Sequence, residues 1–216
     1  VTNPLGKLAQ FTQDITLSSE FHKKSISINT GDEIEELGNS SNYMLEKLDE
    51  YLDNLQKVTA EKERIGAELD VAAKIQADML PCIFPAFPER KEFDIFASMT
   101  PAKEVGGDFY DFFLVDNNHL AIVMADVSGK GVPAALFMMI SKTLIKSATQ
   151  SGLSPAAVLE KVNNQLCENN DAEMFVTVWL GILEISTGKM ICANAGHEYP
   201  VIMRKDGEFE LYKDKH

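Results

Sequence analysis

Apolar residues recur at alternating spacings of three and four between residues 34 and 79, and this pattern restricts that part of the chain to one long helix. One heptad position holds Ile34, Ser41, Leu48, Leu55, Lys62, Leu69 and Gln76, and the other holds Leu37, Met44, Tyr51, Val58, Ile65, Ala72 and Met79. Packing of this stripe on its own domain is the simpler alternative. Because the helix is otherwise mostly polar, the pattern favours a parallel coiled-coil homodimer.

A shorter amphipathic helix is predicted upstream, where apolar residues keep helical spacing over residues 5–15 after the helix-start residue Pro4. An extended connector and the acidic segment 31–33 then lead into the heptads. This order resembles a HAMP signal-relay module over residues 1–58, with residues 59–80 as a coiled-coil linker helix. The resemblance implies attachment to the inner membrane, on its cytoplasmic side, through a segment upstream of this chain.

Charge and composition narrow the partners and the compartment. The chain has 33 acidic and 20 basic residues and a formal charge of -13, without a basic cluster, which argues against nucleic acid as a partner. The longest apolar runs are far shorter than the roughly 20 residues of a membrane span. Three scattered cysteines without a CxxC pair indicate reduced thiols, so we expect these residues themselves to be soluble and cytoplasmic.

Three prolines between residues 81 and 88 end the helical pattern, and from Phe93 the periodicity becomes that of strands. Strands are predicted at residues 93–99, 109–115, 120–126, 175–185, 190–195 and 199–204. Two helices, with Pro133 and Pro155 in their first turns, are predicted between the third and fourth of these strands. Strands, then helices, then strands predict an α+β domain with an antiparallel sheet over residues 89–216.

Two aspartates stand where strands meet glycine-rich turns. Asp108 follows two glycines, and Asp126 ends an apolar strand immediately before a flexible segment containing Gly129. Carboxylates and backbone carbonyls held in this way suit Mg²⁺ or Mn²⁺. Aspartate beside glycine is also ordinary turn chemistry, so the spacing alone leaves both interpretations open.

Four motifs together resemble one enzyme family. Residues 105–111 read VGGDFYD, residues 125–135 read ADVSGKGVPAA, residues 194–197 read NAGH, and residues 73–81 read AKIQADMLP. Their order and context resemble the SpoIIE/RsbU-type metal-dependent serine/threonine phosphatases of the PPM (type 2C) superfamily, over about residues 72–203. The resemblance implies an αββα sandwich, truncated in this chain, that follows a helical HAMP and coiled-coil region.

Position by position, the resemblance assigns Asp108 as the first metal-binding aspartate, Asp126 as the bridging aspartate and Val127 as a metal ligand through its backbone carbonyl. It implies two Mn²⁺ or Mg²⁺ ions and catalysis without a covalent enzyme intermediate. Supporting roles are predicted for Gly107, Asp111, Gly129, Asn194 and His197. For His197, closing a glycine turn between strands is an equally good interpretation.

The sequence departs from the family in one respect. The later metal-binding aspartates, in Thr-Asp-Gly and Asp-Asp motifs, have no counterpart before His216, and the Asp206-Gly207 pair is typical of a hairpin turn. We therefore expect the C-terminal part of the domain, and part of its metal site, to lie beyond His216. These 216 residues alone are then expected to be inactive.

The resemblance implies a phosphoprotein substrate, a STAS-type anti-sigma-factor antagonist, in a bacterial partner-switching pathway. A non-catalytic, HAMP-linked dimeric binding module is the alternative. A diguanylate cyclase is disfavoured because Phe109 stands where the GG-[DE]-EF loop requires a second carboxylate, and because the motif around Asp126 would have no role.

Overall fold

The computed structural model describes residues 3–17, 24–101, 104–168 and 170–213. The chain forms two compact units, Val1–Ala67 and Glu68–His216. Its elements are α1 (Pro4–Leu17), α2 (Glu33–Asp78), β1 (Phe109–Leu114), β2 (His119–Val127), α3 (Val132–Gln150), α4 (Pro155–Cys167), β3 (Val176–Glu184), β4 (Lys189–Ala195), β5 (Val201–Met203) and β6 (Phe209–Leu211). This mixture of helices and an antiparallel sheet confirms the α+β prediction.

The first unit contains α1, an extended connector and most of α2. The connector is fixed to α2 by a two-way hydrogen bond: the Ile26 N–H donates to Asn42 Oδ1 (2.9 Å), and Asn42 Nδ2 donates to the Ile26 carbonyl (2.7 Å). The helix begins after Asp32, whose Oδ1 accepts the Ile34 N–H (3.0 Å), as expected of a capping carboxylate. The predicted acidic helix start is therefore correct.

Much of the heptad stripe on α2 is exposed within this unit. The exposed apolar side chains are Leu37, Met44, Leu48, Tyr51, Leu55, Val58 and Ile65. Among the described residues, no helix is both long enough and apolar enough to cross a membrane.

The second unit is built on an antiparallel sheet in the order β1-β2-β3-β4, with β5 and β6 forming a separate hairpin. Successive strand residues point to opposite faces of a sheet. On one face of β1, the Lys146 ammonium of α3 lies over the Phe113 ring (5.1 Å). On the other face, the Tyr110 hydroxyl donates to the Pro81 carbonyl (2.7 Å), and the Phe87 ring packs on Phe112 (6.0 Å between centroids). The sheet is thus covered by α3 on one side and by the chain that follows α2 on the other.

The strand predicted at residues 93–99 is wrong. The predicted alternation of burial is present in this segment: Phe93, Ile95, Ala97 and Met99 are partly buried, and the residues between them are exposed. However, no ladder of strand hydrogen bonds forms along these described residues. Side-chain packing on the core accounts for the alternation, as when the Phe93 ring meets Phe87 edge-on (5.6 Å between centroids).

Candidate metal site

The two aspartates predicted from the motifs lie opposite each other on one face of the sheet. Phe109, the first residue of β1, pairs with Ala125 of β2, so the register carries Asp108 to the position beside Asp126. Both side chains are exposed, whereas Phe109 and Ala125 point into the core. The strand pairing alone therefore brings two carboxylates together at the surface.

Gly107 lets this segment approach the end of β2 closely. A Cβ atom on Gly107 would lie 2.9 Å from the Val127 carbonyl oxygen, 2.9 Å from Val127 Cβ and 3.3 Å from Ala134 Cβ. Contacts of 2.9 Å are shorter than a Cβ atom tolerates, so any larger residue must push the chain segments apart. The absent side chain at Gly107 thus keeps the Val127 carbonyl next to the backbone that carries Asp108.

The loop after β2 is held by a hydrogen-bonded pair. The Ser128 N–H donates to the Phe175 carbonyl (2.8 Å), and the Phe175 N–H donates to Ser128 Oγ (3.0 Å). Gly129 and Gly131 then adopt φ values of +87° and +75°, a left-handed region that favours glycine. The chain consequently turns away immediately after Asp126 and leaves that carboxylate open to a ligand.

These residues border a cavity of about 460 Å³. Among the described residues, its polar lining comes from Asp108, Asp126, the Val127 backbone and Lys130. Lys130 is the positively charged side chain in this lining. Partial burial raises the pKa of the Asp108 carboxyl above its ordinary value, and the hydrogen bond and negative charge of Asp126 raise it further. A divalent cation would offset the negative charge that disfavours ionisation of Asp108.

The donor atoms fit a hard divalent cation. Two carboxylates and a backbone carbonyl are the oxygen ligands that Mg²⁺ and Mn²⁺ prefer. Among the described residues there is no group of three or more His, Cys, Asp or Glu side chains suited to a metal. The described residues therefore supply part of a coordination shell, and the metal-binding roles of Asp108, Asp126 and Val127 stay predictions.

Comparison with known proteins identifies the second unit. The family model for stage II sporulation protein E (SpoIIE) matches residues 116–216. Phosphoserine phosphatase RsbU of Bacillus subtilis (strain 168) is 35% identical over 137 residues, which is 63% of this chain and 40% of RsbU. Protein IcfG of Synechocystis sp. is 32% identical over 236 residues, which cover 95% of this chain and 36% of IcfG.

A solved structure agrees in fold. The SiaA-PP2C domain of Pseudomonas aeruginosa superposes with a TM-score of 0.52 at 26% identity, covering 62% of this chain and 55% of that domain. The second unit contains a SpoIIE/RsbU-type domain of the PPM superfamily. The predicted family and PPM-type fold are thereby confirmed, whereas the predicted HAMP module and domain boundaries stay predictions. The chain spans about 40% of the length of RsbU and 36% of that of IcfG.

A threonine that the sequence interpretation missed connects two motifs of this SpoIIE-type domain. Thr177 on β3 pairs with Asp126, and its Oγ1 donates to the Asp126 carbonyl (3.3 Å). The same hydroxyl lies 3.0 Å from His197 Nδ1. Burial lowers the pKa of the His197 imidazole below its ordinary value, and the charge of Asp126 opposes that shift. Correct pairing of β2 with β3 would have revealed Thr177, because cross-strand neighbours share a face.

The NAGH motif forms a closed turn. The His197 N–H donates to Asn194 Oδ1 (2.8 Å), and Asn194 Nδ2 donates back to the His197 carbonyl (3.0 Å). Gly196 between them has φ +75°. The turn interpretation of His197 therefore describes its backbone, while the Thr177 hydroxyl links its ring to the Asp126 backbone carbonyl.

Asp111 of the SpoIIE-type domain lies on the opposite face of β1 from Asp108. Its carboxylate, with a side chain only 2% exposed, accepts a hydrogen bond from the Lys142 ammonium of α3 (2.6 Å). The described lining of the cavity does not include Asp111. Lys142 was missed, although the sequence held a signal: it occupies the same helical stripe as the buried residues Met138 and Ile145.

Proposed function

We propose that this chain carries part of the active site of a divalent-cation-dependent protein phosphoserine/phosphothreonine phosphatase. One observation supports the proposal above the others: Asp108 and Asp126 face each other beside the Val127 carbonyl, in an open cavity. The similarity to RsbU, which is named a phosphoserine phosphatase, supports this chemistry. The substrate, the partners and the activity of the full-length protein belong to the same proposal.

Each residue of the site has a separate role in this proposal. When bound, Mn²⁺ or Mg²⁺ supplies an activated water and offsets the negative charge of the phosphoryl group. Asp126, at the end of β2, would be the ligand common to both ions, and Asp108 and the Val127 carbonyl would complete the part of the site that this chain supplies. Lys130 on the cavity rim is suited to attract the phosphate dianion.

A serine nucleophile is disfavoured by the same loop. Ser128 is the hydroxyl nearest Asp126 in sequence, but its Oγ accepts the Phe175 N–H (3.0 Å) and so anchors the loop to β3. Hydrolysis without a covalent enzyme intermediate fits this arrangement better than transfer through Ser128.

The test uses the full-length protein with p-nitrophenyl phosphate and a serine-phosphorylated STAS-domain protein. We expect hydrolysis that depends on Mn²⁺ or Mg²⁺ and falls by roughly 10³-fold in Asp126→Asn, because a cation contributes several kcal/mol to the transition state. Asp206→Asn, in the exposed β5–β6 turn, is the matched control and should retain activity. Absent hydrolysis would leave the non-catalytic binding module as the better description, whereas hydrolysis that persists in Asp126→Asn would refute the proposed cation site.

Dimerisation through α2 is a further part of the proposal. The exposed apolar stripe of the first unit supports a two-stranded coiled coil, because a soluble helix rarely leaves such a stripe uncovered. Sedimentation of the full-length protein should give a dimer, and charges introduced by Leu48→Asp and Leu55→Asp should dissociate it. A monomeric wild-type protein would contradict this arrangement. Membrane attachment through an upstream HAMP-linked segment stays a proposal.

A further inference from the structure

Gln76, in the last turn of α2, is bound to the loop that carries Asp108. The Gly106 N–H donates to Gln76 Oε1 (3.0 Å), and Gln76 Nε2 donates to the Gly106 carbonyl (2.6 Å). Gln76 is only 3% exposed, and both residues belong to the second unit. The heptad interpretation placed Gln76 in the dimer interface. That placement is wrong, because its amide is buried within its own unit.

This pair of bonds fixes one residue in two directions. A side-chain amide that binds both the N–H and the C=O of Gly106 restrains its rotation as well as its position, as a neighbouring strand would do. Gly106 itself lines the cavity. The next residue, Gly107, lies against the Val127 carbonyl. The loop before β1 is thus held by Gln76 on one side and by the end of β2 on the other.

A second contact from the same segment lies on the other side of Asp108. The Tyr110 hydroxyl donates to the carbonyl of Pro81 (2.7 Å). Gly106 comes two residues before Asp108 and Tyr110 two residues after it. The chain from the end of α2 to Pro81 therefore holds the Asp108 backbone at both flanks, although it contributes no ligand to the cation site.

We propose that Gln76 is a positioning residue for the cation site: its bonds to Gly106 set the distance of Asp108 from Asp126 and from the Val127 carbonyl. The inference deepens the proposed function and rests on it. A metal site binds tightly only when its ligands are held in place by the groups behind them. A displacement of the last turn of α2 would therefore change the affinity for the cation before it changed the substrate pocket.

The test measures Mn²⁺ affinity of the full-length protein by electron paramagnetic resonance, independently of activity. Gln76→Met keeps the length of the side chain and removes both hydrogen bonds, and Gln76→Asn keeps the amide but shortens its reach. The control is Gln56→Met, on an exposed position of the same helix. We expect the two Gln76 variants to bind Mn²⁺ about 10–100-fold more weakly, which is typical for loss of a group behind a metal ligand.

Two further readouts separate positioning from simple destabilisation. Thermal melting verifies that each variant is folded at the assay temperature, and the backbone amides around Gly106 should exchange hydrogen faster in the Gln76 variants than in Gln56→Met. Saturating Mn²⁺ should restore most of the kcat with little change in KM for the phosphoprotein. If Gln76→Met does not fold, Gln76→Asn alone decides the question.

The outcomes distinguish this inference from the proposed function. If the wild type binds Mn²⁺, Asp126→Asn abolishes that binding and folded Gln76 variants bind as the wild type does, the role of Gln76 is refuted and the proposed function stands. If the wild type binds no Mn²⁺, or binds it independently of Asp126, both are refuted together.

Discussion

Asp108 and Asp111 stand three residues apart in one motif, yet they occupy opposite environments. Asp108 is exposed on one face, opposite a second carboxylate, and its pKa is raised by partial burial and by Asp126. Asp111 is buried on the other face and paired with the Lys142 ammonium at 2.6 Å. Two carboxylates that repel each other at a surface are prepared to bind a cation. A carboxylate that is already paired with an ammonium inside the protein is not open to a cation.

Breaking the buried pair should have the largest effect on stability. Lys142→Ala leaves the Asp111 carboxylate buried without its partner, and such a loss costs about 3–5 kcal/mol of unfolding free energy. Urea unfolding followed by circular dichroism measures the change. Lys161→Ala, on an exposed position of α4, is the control and should change stability by less than about 0.5 kcal/mol.

A double variant sharpens the same point. Asp111→Leu combined with Lys142→Met replaces the ion pair with apolar groups of similar size and should restore most of the lost stability. If Lys142→Ala alone is tolerated at a cost below about 1 kcal/mol, as for a surface pair, Asp111 is not the buried structural carboxylate described above.

The second prediction concerns the close approach of Gly107 to Val127, next to Asp108 and Asp126. Gly107→Ala forces a Cβ atom against the Val127 carbonyl, so it should cost about 1–3 kcal/mol of unfolding free energy and weaken Mn²⁺ binding. Gly66→Ala is a control with the opposite sign. No atom lies within 4 Å of the added Cβ there, and alanine in a helix stabilises by about 1 kcal/mol. Equal effects of the two substitutions would mean that Gly107 is not tightly enclosed.

The sequence predicted the exposed carboxylates well and the buried contacts poorly. Strand ends beside glycines leave a local pattern that singled out Asp108 and Asp126, and β1 and β2 lie within a residue or so of their predicted bounds. The metal-binding role of the two aspartates came from the family resemblance and stays a prediction. Lys142 and Gln76 were missed as partners because their bonds join residues 31 and 30 positions apart. Helical periodicity reports that a side chain faces inward, but it does not report which backbone or charge it meets.

The strand predicted at residues 93–99 failed for a related reason. Alternating burial arises whenever an extended segment packs one side on a core, whether or not its backbone pairs with a neighbour. Gln76 shows the same ambiguity for helices, because a heptad stripe and the buried stripe of a domain have almost the same period. At residues 93–99 and at Gln76, periodicity therefore predicted burial correctly and the bonding partner incorrectly.

The smallest expected effect is the pH dependence that Asp108 and Asp126 give to the free energy of unfolding when no metal is present. Because the folded-state pKa of Asp108 lies above its unfolded value of 3.8, the native state holds this proton more tightly than the unfolded state does. Stability should therefore fall as pH rises from about 4 through the raised pKa, and by no more than about 1 kcal/mol because both carboxylates are largely exposed to solvent. Asp126→Asn removes the neighbouring charge and should flatten this slope.

Urea unfolding in chelator between pH 4 and 7 measures that slope, and Asp206→Asn serves as the matched substitution that should leave it unchanged. With Mn²⁺ added, the free energy of unfolding of the wild type should instead rise as the pH approaches neutrality, because a cation that binds only the native state stabilises it. Mn²⁺ should not change the stability of Asp126→Asn. A slope that is the same in the wild type and in Asp126→Asn would mean that Asp108 and Asp126 do not interact. Asp108 and Asp111 would then differ only because Asp111 is paired with Lys142.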